Sequence, residues 1–241
     1  MRRLLLACGL LLAMLGFVHA ENAAVRETMA KLRDKDIAVR RQAAQDLAEM
    51  GPEAKLATAA LQKALRDPDL FVRRFAALAL GKIGPEVPDA KETVSALALA
   101  LNDPKKEVQL AAADALLQMG PLALNAFLAA VKDPTRDPAI RKKATQGLAK
   151  IGPPARGALP ILTEMVSTPQ KMAKGKAYLN DDDLRLDAAF ALGKLAKPSD
   201  TAAINALKMV SEGKQKNKAL KKAAEMALRE IDGMLPKKKS R

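Results

Sequence analysis

The stretch DPDLFVRRFAALALGKIGP, residues Asp67–Pro85, decides the fold because it contains one turn and one amphipathic helix. A period of 3.6 residues places four apolar side chains on a single helical face, which needs a neighbour to bury it. Gly84-Pro85 then ends the helix, since glycine readily adopts a left-handed cap and proline cannot continue a helix. The apolar face consists of Val72, Ala76, Leu80 and Ile83.

The same four columns occur six times along the chain, at spacings of 33, 36, 32, 44 and 36 residues. The second column is alanine in every copy, and a small side chain allows adjacent helices to approach closely. The pattern therefore predicts a helix that stacks against copies of itself in one continuous array. The first column contains Val39, Val72, Val108, Ile140, Leu184 and Leu220, and the second contains Ala43, Ala76, Ala112, Ala144, Ala188 and Ala224.

The residues before each of these second helices predict a first helix for the same repeat. Two segments depart from the pattern: Thr168–Asn180 lengthens the fifth repeat and predicts a loop, and residues 234–241 predict a basic, disordered tail. The repeat domain is therefore predicted to span residues 21–233. Predicted first helices include residues 23–33, 55–66, 93–101 and 122–132.

The composition suits close-packed helices and favours acidic partners. Hydrophobic residues make up 49% of the chain but aromatic residues only 2%, so Ala, Leu, Ile, Val and Met must fill the core. Lys and Arg number 41 against 27 Asp and Glu, which gives a formal charge of +14 and favours acidic partners or surfaces in general. The phenylalanines after residue 20 are predicted to pack in the core: Phe71, Phe75, Phe127 and Phe190.

Residues 1–20 have the pattern of an export signal. Arg2 and Arg3 precede an apolar run, Leu4–Val18, and Val18-His19-Ala20 supplies a cleavage site. The run is shorter than the about 20 residues that span a bilayer, which disfavours an uncleaved anchor. Lipidation at Cys8 and twin-arginine export are weaker alternatives. The protein is therefore predicted to be exported, to the periplasm or the extracellular space, with no stable membrane span after cleavage.

The pattern of the second helices, Asp-x-Asp-x-x-Val-Arg-x-x-Ala-Ala-x-Ala-Leu-Gly-x-Ile-Gly, resembles HEAT repeats of the short bacterial kind that also occurs in phycobilisome lyases. The match is best in the second repeat and weaker in the fifth and sixth. The resemblance implies an all-α fold, a right-handed α-solenoid of about six HEAT-like helix pairs. It also implies that the second helices line a concave side on which partners bind.

Basic pairs open several second helices, and only their second members are candidates for partner binding. Arg40 and Arg73 are predicted to be structural, because a turn aspartate precedes each by six residues, Asp34 and Asp67 respectively. The second members have no such predicted partner, and their column also contains two leucines. The predicted partner-binding column is Arg41, Arg74, Leu110, Lys142, Leu186 and Lys222.

The mixed basic and apolar character of this column favours a protein partner over a phosphate backbone, which rewards unbroken charge. The function predicted is therefore a non-catalytic, exported scaffold that binds a protein through its concave face. A binder of nucleic acid or another anionic polymer is the alternative, disfavoured by export and by the scarcity of aromatic stacking platforms. The oligomeric state stays open.

The residue inventory argues against an enzyme and against a metal or other cofactor. Cleavage of the signal removes Cys8 and His19, which are the only cysteine and histidine of the chain. Triad chemistry and zinc binding then lack their usual groups, and so does an iron site built from histidine and glutamate. A phycobilin-lyase-like enzyme is a second alternative that only the repeat supports. Asp181-Asp182-Asp183 fits helix capping better than a cation site.

Overall fold

The computed structural model of the chain describes residues 23–167, 182–213 and 217–233. The predicted signal peptide, residues 1–20, lies outside these ranges, as do the Thr168–Asn180 loop and the basic tail, residues 234–241. Those three assignments stay predictions. The contacts within the chain form two compact units, Met1–Met119 and Gly120–Arg241, and each unit is described by itself.

The first unit contains three helix pairs. A first helix covers residues 23–31 (α1) and the helices that follow are α2, Ile37–Met50; α3, Thr58–Ala64; α4, Leu70–Ile83; α5, Ala90–Ala100; and α6, Lys106–Met119. The second helices α2, α4 and α6 pack side by side, and α3 and α5 pack against α4 and α6 of their own pairs.

The second unit repeats this arrangement. Its helices are α7, Leu124–Lys132; α8, Pro138–Ile151; α9, Leu159–Ser167; α10, Asp182–Leu195; α11, Thr201–Glu212; and α12, Lys218–Gly233. The helix pairs are α7 with α8, α9 with α10, and α11 with α12, and the second helices α8, α10 and α12 again pack in sequence. The described residues contain helices and no strand, as the repeat pattern predicts.

The helix ends follow the local sequence. Asp36, Asp69 and Asp137 each accept a hydrogen bond from a backbone N–H in the first turn of α2, α4 and α8. Four helices are followed by a glycine with a positive φ angle, a conformation that glycine adopts readily and that ends a helix, as the Gly-Pro motif predicts. The φ values are 58° at Gly51, 80° at Gly84, 58° at Gly120 and 73° at Gly152.

The first helices differ in their bounds from the sequence prediction. Residues Gly51–Ala57, Gly120–Ala123 and Pro153–Ala158 form 3-10 helices that precede α3, α7 and α9. The predicted helix 55–66 is therefore α-helical only over Thr58–Ala64. In each case a proline follows a glycine, at Gly51-Pro52, Gly120-Pro121 and Gly152-Pro153. Proline has no N–H and a fixed φ, so it fits the first turn of a new helix but not the interior of a longer one.

Alanine and aliphatic side chains fill both cores. All six members of the alanine column are at most 1% exposed, which confirms their predicted place between helices. Two further close contacts between second helices lie five residues after the alanine column. A Cβ built at Gly81 of α4 would lie 2.8 Å from the Cα of Ala115 in α6, and one at Gly193 of α10 would lie 2.9 Å from the Cα of Ala227 in α12.

The stretch Lys106–Lys132 is long and apolar enough to cross a membrane by length and composition alone, with a mean hydropathy of 1.4. It is not one α-helix, because α6 ends at Met119 and a 3-10 turn with Gly120 at positive φ precedes α7. Leu116 and Phe127 are buried in the cores of their units. The stretch has the character of core helices.

Candidate functional site on the second helices

All six residues of the predicted partner-binding column are accessible to solvent. Arg41 and Lys222 are exposed, and the other four are half-buried. Three of them lie in the first unit, on α2, α4 and α6, and three in the second unit, on α8, α10 and α12. We call the solvent-accessible side of these helices the second-helix face, and describe it separately for each unit.

The arginine that precedes the column in α2 is structural, but its acidic partner was predicted wrongly. Arg40 Nη1 donates to the backbone carbonyls of Asp34 and Lys35, at 2.9 and 3.2 Å. Its Nε and Nη2 donate instead to the carboxylate of Asp67 in the next repeat, at 2.9 and 3.2 Å. Arg40 therefore ties one repeat to the next.

Arg73 repeats this arrangement one helix later. Its Nη1 donates to the carbonyls of Asp67 and Pro68, and its Nε and Nη2 donate to the Asp103 carboxylate at 2.6 and 2.9 Å. The Arg73 and Asp103 side chains are only 11% and 7% exposed. Asp67 does not bind Arg73 in the predicted way, because both of its carboxylate oxygens accept from Arg40 of the preceding repeat.

The equivalent arginines of the second unit are more deeply buried. Arg141 is fully buried, and its Nε and Nη2 donate to the carbonyl of Val131 near the end of α7. Arg185 is 3% exposed and its Nη2 donates to the carbonyl of Val166 near the end of α9. Burial lowers the pKa of Arg141. These arginines hold the helix pairs together and are not available to a partner.

Arg41, the first member of the column, is paired within the protein. Its Nε and Nη2 donate to the two carboxylate oxygens of Asp69, at 2.9 and 2.6 Å, and its guanidinium carbon lies 4.8 Å from the centre of the Phe71 ring. Asp69 also accepts from the backbone N–H groups of Phe71 and Val72. The Arg41 hydrogen bonds, assisted by these backbone bonds, lower the pKa of Asp69 to about 2.

Arg74, one repeat later, has no such acid. Its guanidinium carbon lies 6.0 Å from the centre of the Phe75 ring, and it forms no hydrogen bond or ion pair with any residue in the described ranges. Leu110 is the next member of the column and is half-buried. The first unit thus presents one cation that is paired, one that is not, and one apolar side chain.

The second unit shows the same mixture. Lys142 Nζ lies 3.3 Å from a carboxylate oxygen of Asp183, one of the two acidic residues in the first turn of α10. Leu186 is half-buried. Lys222 is exposed and lies beside other cations of the last helix, of which none forms an ion pair within the described part of the chain. These neighbours are Lys218, Lys221 and Arg229.

Aromatic residues contribute to the face in a way that the sequence prediction missed. Phe127 is 2% exposed and fills the core as predicted, but Phe71 and Phe190 are 39% and 40% exposed. Their helical positions could have shown this, because Phe190 lies two residues after Ala188 and so on the opposite side of α10. Met226 of α12 is also exposed, at 46%. The face therefore carries more apolar surface than the column alone.

An open groove of about 270 Å³ lies on the first unit between α4 and α6, where Gly81 and Ala115 allow close approach. Its sides are Leu78, Lys82, Asp114 and Gln118. A larger groove, about 540 Å³, lies on the first helices α3 and α5 and includes Lys63, Lys91 and the 61% exposed Leu99. In the ranges that the structure covers, no three His, Cys, Asp or Glu side chains form a group that could hold a metal ion.

A family model described as HEAT repeats matches residues 25–99 and 94–180 of the chain. Comparison with curated proteins gives no match. Among solved structures, an engineered protein is 24% identical with a TM-score of 0.58, over 87% of this chain and 97% of its own. A designed armadillo repeat protein in complex with the peptide (KR)4 is 18% identical with a TM-score of 0.60, over 85% and 98%. These likenesses show an α-helical repeat fold of the solenoid class.

Proposed function

Because this chain belongs to the HEAT-repeat family, we propose that it is a non-catalytic, exported scaffold that binds another protein through its second-helix face. The observation that carries the proposal is the mixture of side chains on that face. Phe71, Phe190 and Met226 are each about two-fifths to one half exposed. Exposed apolar side chains next to arginine and lysine are typical of protein interfaces.

The fold suits such a role. Within each unit, stacked helix pairs create a surface of side chains that a partner segment can follow. A designed armadillo repeat protein of similar fold was solved in complex with the basic peptide (KR)4. The present chain carries a formal charge of +14, so the segment that it binds is expected to differ from that peptide in charge.

An anionic polymer is a weaker candidate because part of the basic column is neutralised within the protein. Arg41 is bonded to Asp69, and Lys142 lies beside Asp183. Leu110 and Leu186 interrupt the remaining positive charge, whereas tight binding to a phosphate backbone accumulates over many cationic contacts. The phycobilin-lyase-like alternative still rests on the repeat alone.

Export and the lack of catalysis depend on cleavage of residues 1–20, which would remove Cys8 and His19. Mass spectrometry of the protein recovered from the producing cell tests this step directly. We expect a chain that begins at Glu21 and is found in the envelope or the medium. An intact N-terminus in the cytoplasm would contradict export.

Site-specific photocrosslinking tests the binding face. A photoreactive phenylalanine replaces exposed residues of second helices, Gln118 and Lys150, or, as controls, exposed residues of first helices, Asn125 and Asn205. After irradiation of living cells, the second-helix positions are expected to give protein adducts and the controls few. Adducts that nuclease removes would favour the polymer alternative, and adducts from the controls alone would contradict the proposed face.

A further inference from the structure

We propose that Arg74 and Lys105 receive a carboxylate side chain of the partner protein, next to apolar contacts with Phe75 and Leu110. This inference rests on the proposed function, because it names the chemistry of one subsite on the second-helix face of the first unit. The partner segment would carry an aspartate or glutamate followed by apolar side chains.

The argument begins with the register between repeats. Arg40 bonds to Asp67, and Arg73 bonds to Asp103, so Asp67 and Asp103 are equivalent. Arg41 follows Arg40 and bonds to Asp69, two residues after Asp67. By the same register, Arg74 faces the residue two positions after Asp103.

That residue is Lys105. A lysine therefore stands where the previous repeat supplies the carboxylate that binds Arg41. Like charges repel, so Lys105 cannot take the role that Asp69 has for Arg41, and it places a second cation at that position. The side chain of Lys105 is exposed and forms no ion pair within the described ranges.

The nearest acid of the same turn cannot take this role. Both carboxylate oxygens of Asp103 accept hydrogen bonds from Arg73, and one of them also accepts from the backbone N–H of Lys105. Although burial raises the pKa of Asp103, these hydrogen bonds lower it overall, so the carboxylate is ionised and already occupied. Arg74 keeps its free guanidinium donors for a group from outside.

The Arg41–Asp69 pair shows what such a group would look like. Arg41 holds Asp69 by two parallel hydrogen bonds while its guanidinium lies over an aromatic ring, which is the geometry that arginine offers to a carboxylate. Arg74 lies 6.0 Å from a different ring, that of Phe75 on its own helix, because the exposed Glu107 stands at the position equivalent to Phe71. No ion pair joins Arg74 to Glu107 within the described ranges. Leu110 occupies the same column on the next helix and provides an apolar neighbour.

The experiment measures fluorescence anisotropy of a fluorescein-labelled peptide with four Glu-Leu pairs, added to the full mature chain. A peptide with four Gln-Leu pairs is the matched probe without charge. We expect the Glu-Leu peptide to bind more tightly. Arg74→Gln is expected to weaken its binding about tenfold, the loss typical of one charge-assisted hydrogen-bonded pair.

Lys105→Asp is the sharper variant, because it restores the residue type that neutralises Arg41. We expect it to abolish binding of the Glu-Leu peptide and to raise the melting temperature, since Arg74 then gains an internal partner. Lys91→Asp, on the first helix α5, changes the net charge equally and is expected to leave binding almost unchanged. A melting curve for each variant shows that it is folded.

Three results would overturn the inference. They are equal binding of the Gln-Leu peptide, equal losses in Lys91→Asp and Lys105→Asp, and undiminished peptide binding in Arg74→Gln. If a single-stranded DNA oligonucleotide binds more tightly than the peptide and loses affinity in the same variants, the subsite takes phosphate and the inference also fails. If Gln118 gives protein adducts but Arg74→Gln binds the peptide as well as the unchanged protein does, the proposed function stands and only this subsite is excluded.

Discussion

Arginines at two adjacent positions of the repeat have three different environments. Arg73 is mostly buried and joins two repeats through Asp103, while Arg41 is paired at the surface with Asp69. Arg74 has the same residue type and column as Arg41 but forms no ion pair with an acid in the described ranges. Arg41 and Arg74 differ in the residue that the next turn places at the equivalent position, Asp69 for Arg41 and Lys105 for Arg74.

The buried link between repeats is expected to matter for stability. Arg73→Ala removes both hydrogen bonds to Asp103 and leaves that carboxylate 7% exposed without its cation. We expect a loss of about 2 kcal/mol in the free energy of unfolding, measured by urea denaturation. Arg66→Ala is the control, because Arg66 is exposed and unpaired in the described ranges, and a loss of similar size there would contradict this account.

The pH dependence of stability follows from Asp69. Its pKa is about 2 in the folded protein, below the value of about 4 in an unfolded chain, so the folded state binds fewer protons between these values. The stabilisation is thus fully present above about pH 5 and is lost as the pH falls toward 2. We expect Asp69→Asn to have a flatter profile of melting temperature against pH over this range, and parallel profiles would exclude this role.

At the scale of the helices, glycine sets how closely neighbours approach. Gly81 lies in the middle of α4, and a side chain there would meet the backbone of Ala115 in α6. Gly193 has the same relation to Ala227 between α10 and α12. The backbone of a packed helix cannot move away as a flexible side chain can, so a methyl group must push the helices apart.

Gly81→Ala is therefore expected to destabilise the protein. Alanine favours a helix by about 1 kcal/mol over glycine, but overpacking of a tight contact costs about 1–3 kcal/mol, so the net effect should be a loss. Gly157→Ala is the control, because its Cβ would meet only a side-chain carbon of Leu128 at 4.0 Å. Thermal unfolding of both variants checks the prediction, and equal stability of the two would contradict it.

The sequence predicts the helices better than it predicts the contacts between them. The helix Ile37–Met50 and the buried alanine column follow directly from periodicity and capping residues. The bond from Arg40 to Asp67 does not, because its partner lies 27 residues away and depends on the offset between stacked repeats. Residue type alone predicts a core place for Phe71 and Phe190, whereas their positions outside the buried columns indicate the surface, where both lie.

At the scale of the whole molecule, the chain consists of two compact units, each with three helix pairs. In repeat proteins stability comes mainly from contacts between neighbouring repeats, so a local change acts first on its own neighbours. We expect Gly81→Ala to reduce amide protection against hydrogen exchange in α4 and α6 more than in α10 and α12. A uniform loss across both units would show that they unfold together.

The pairing of Arg41 with Asp69 has a consequence for how such a protein can change its specificity. By the proposed register, one substitution in a turn, aspartate to lysine or the reverse, would change whether the arginine on the preceding second helix has an internal partner. New partners could therefore arise by exchange of turn residues, with the helices and their alanine-lined seams left intact. Protein engineers could use the same exchange to set the charge at each turn of a repeat protein by single substitutions.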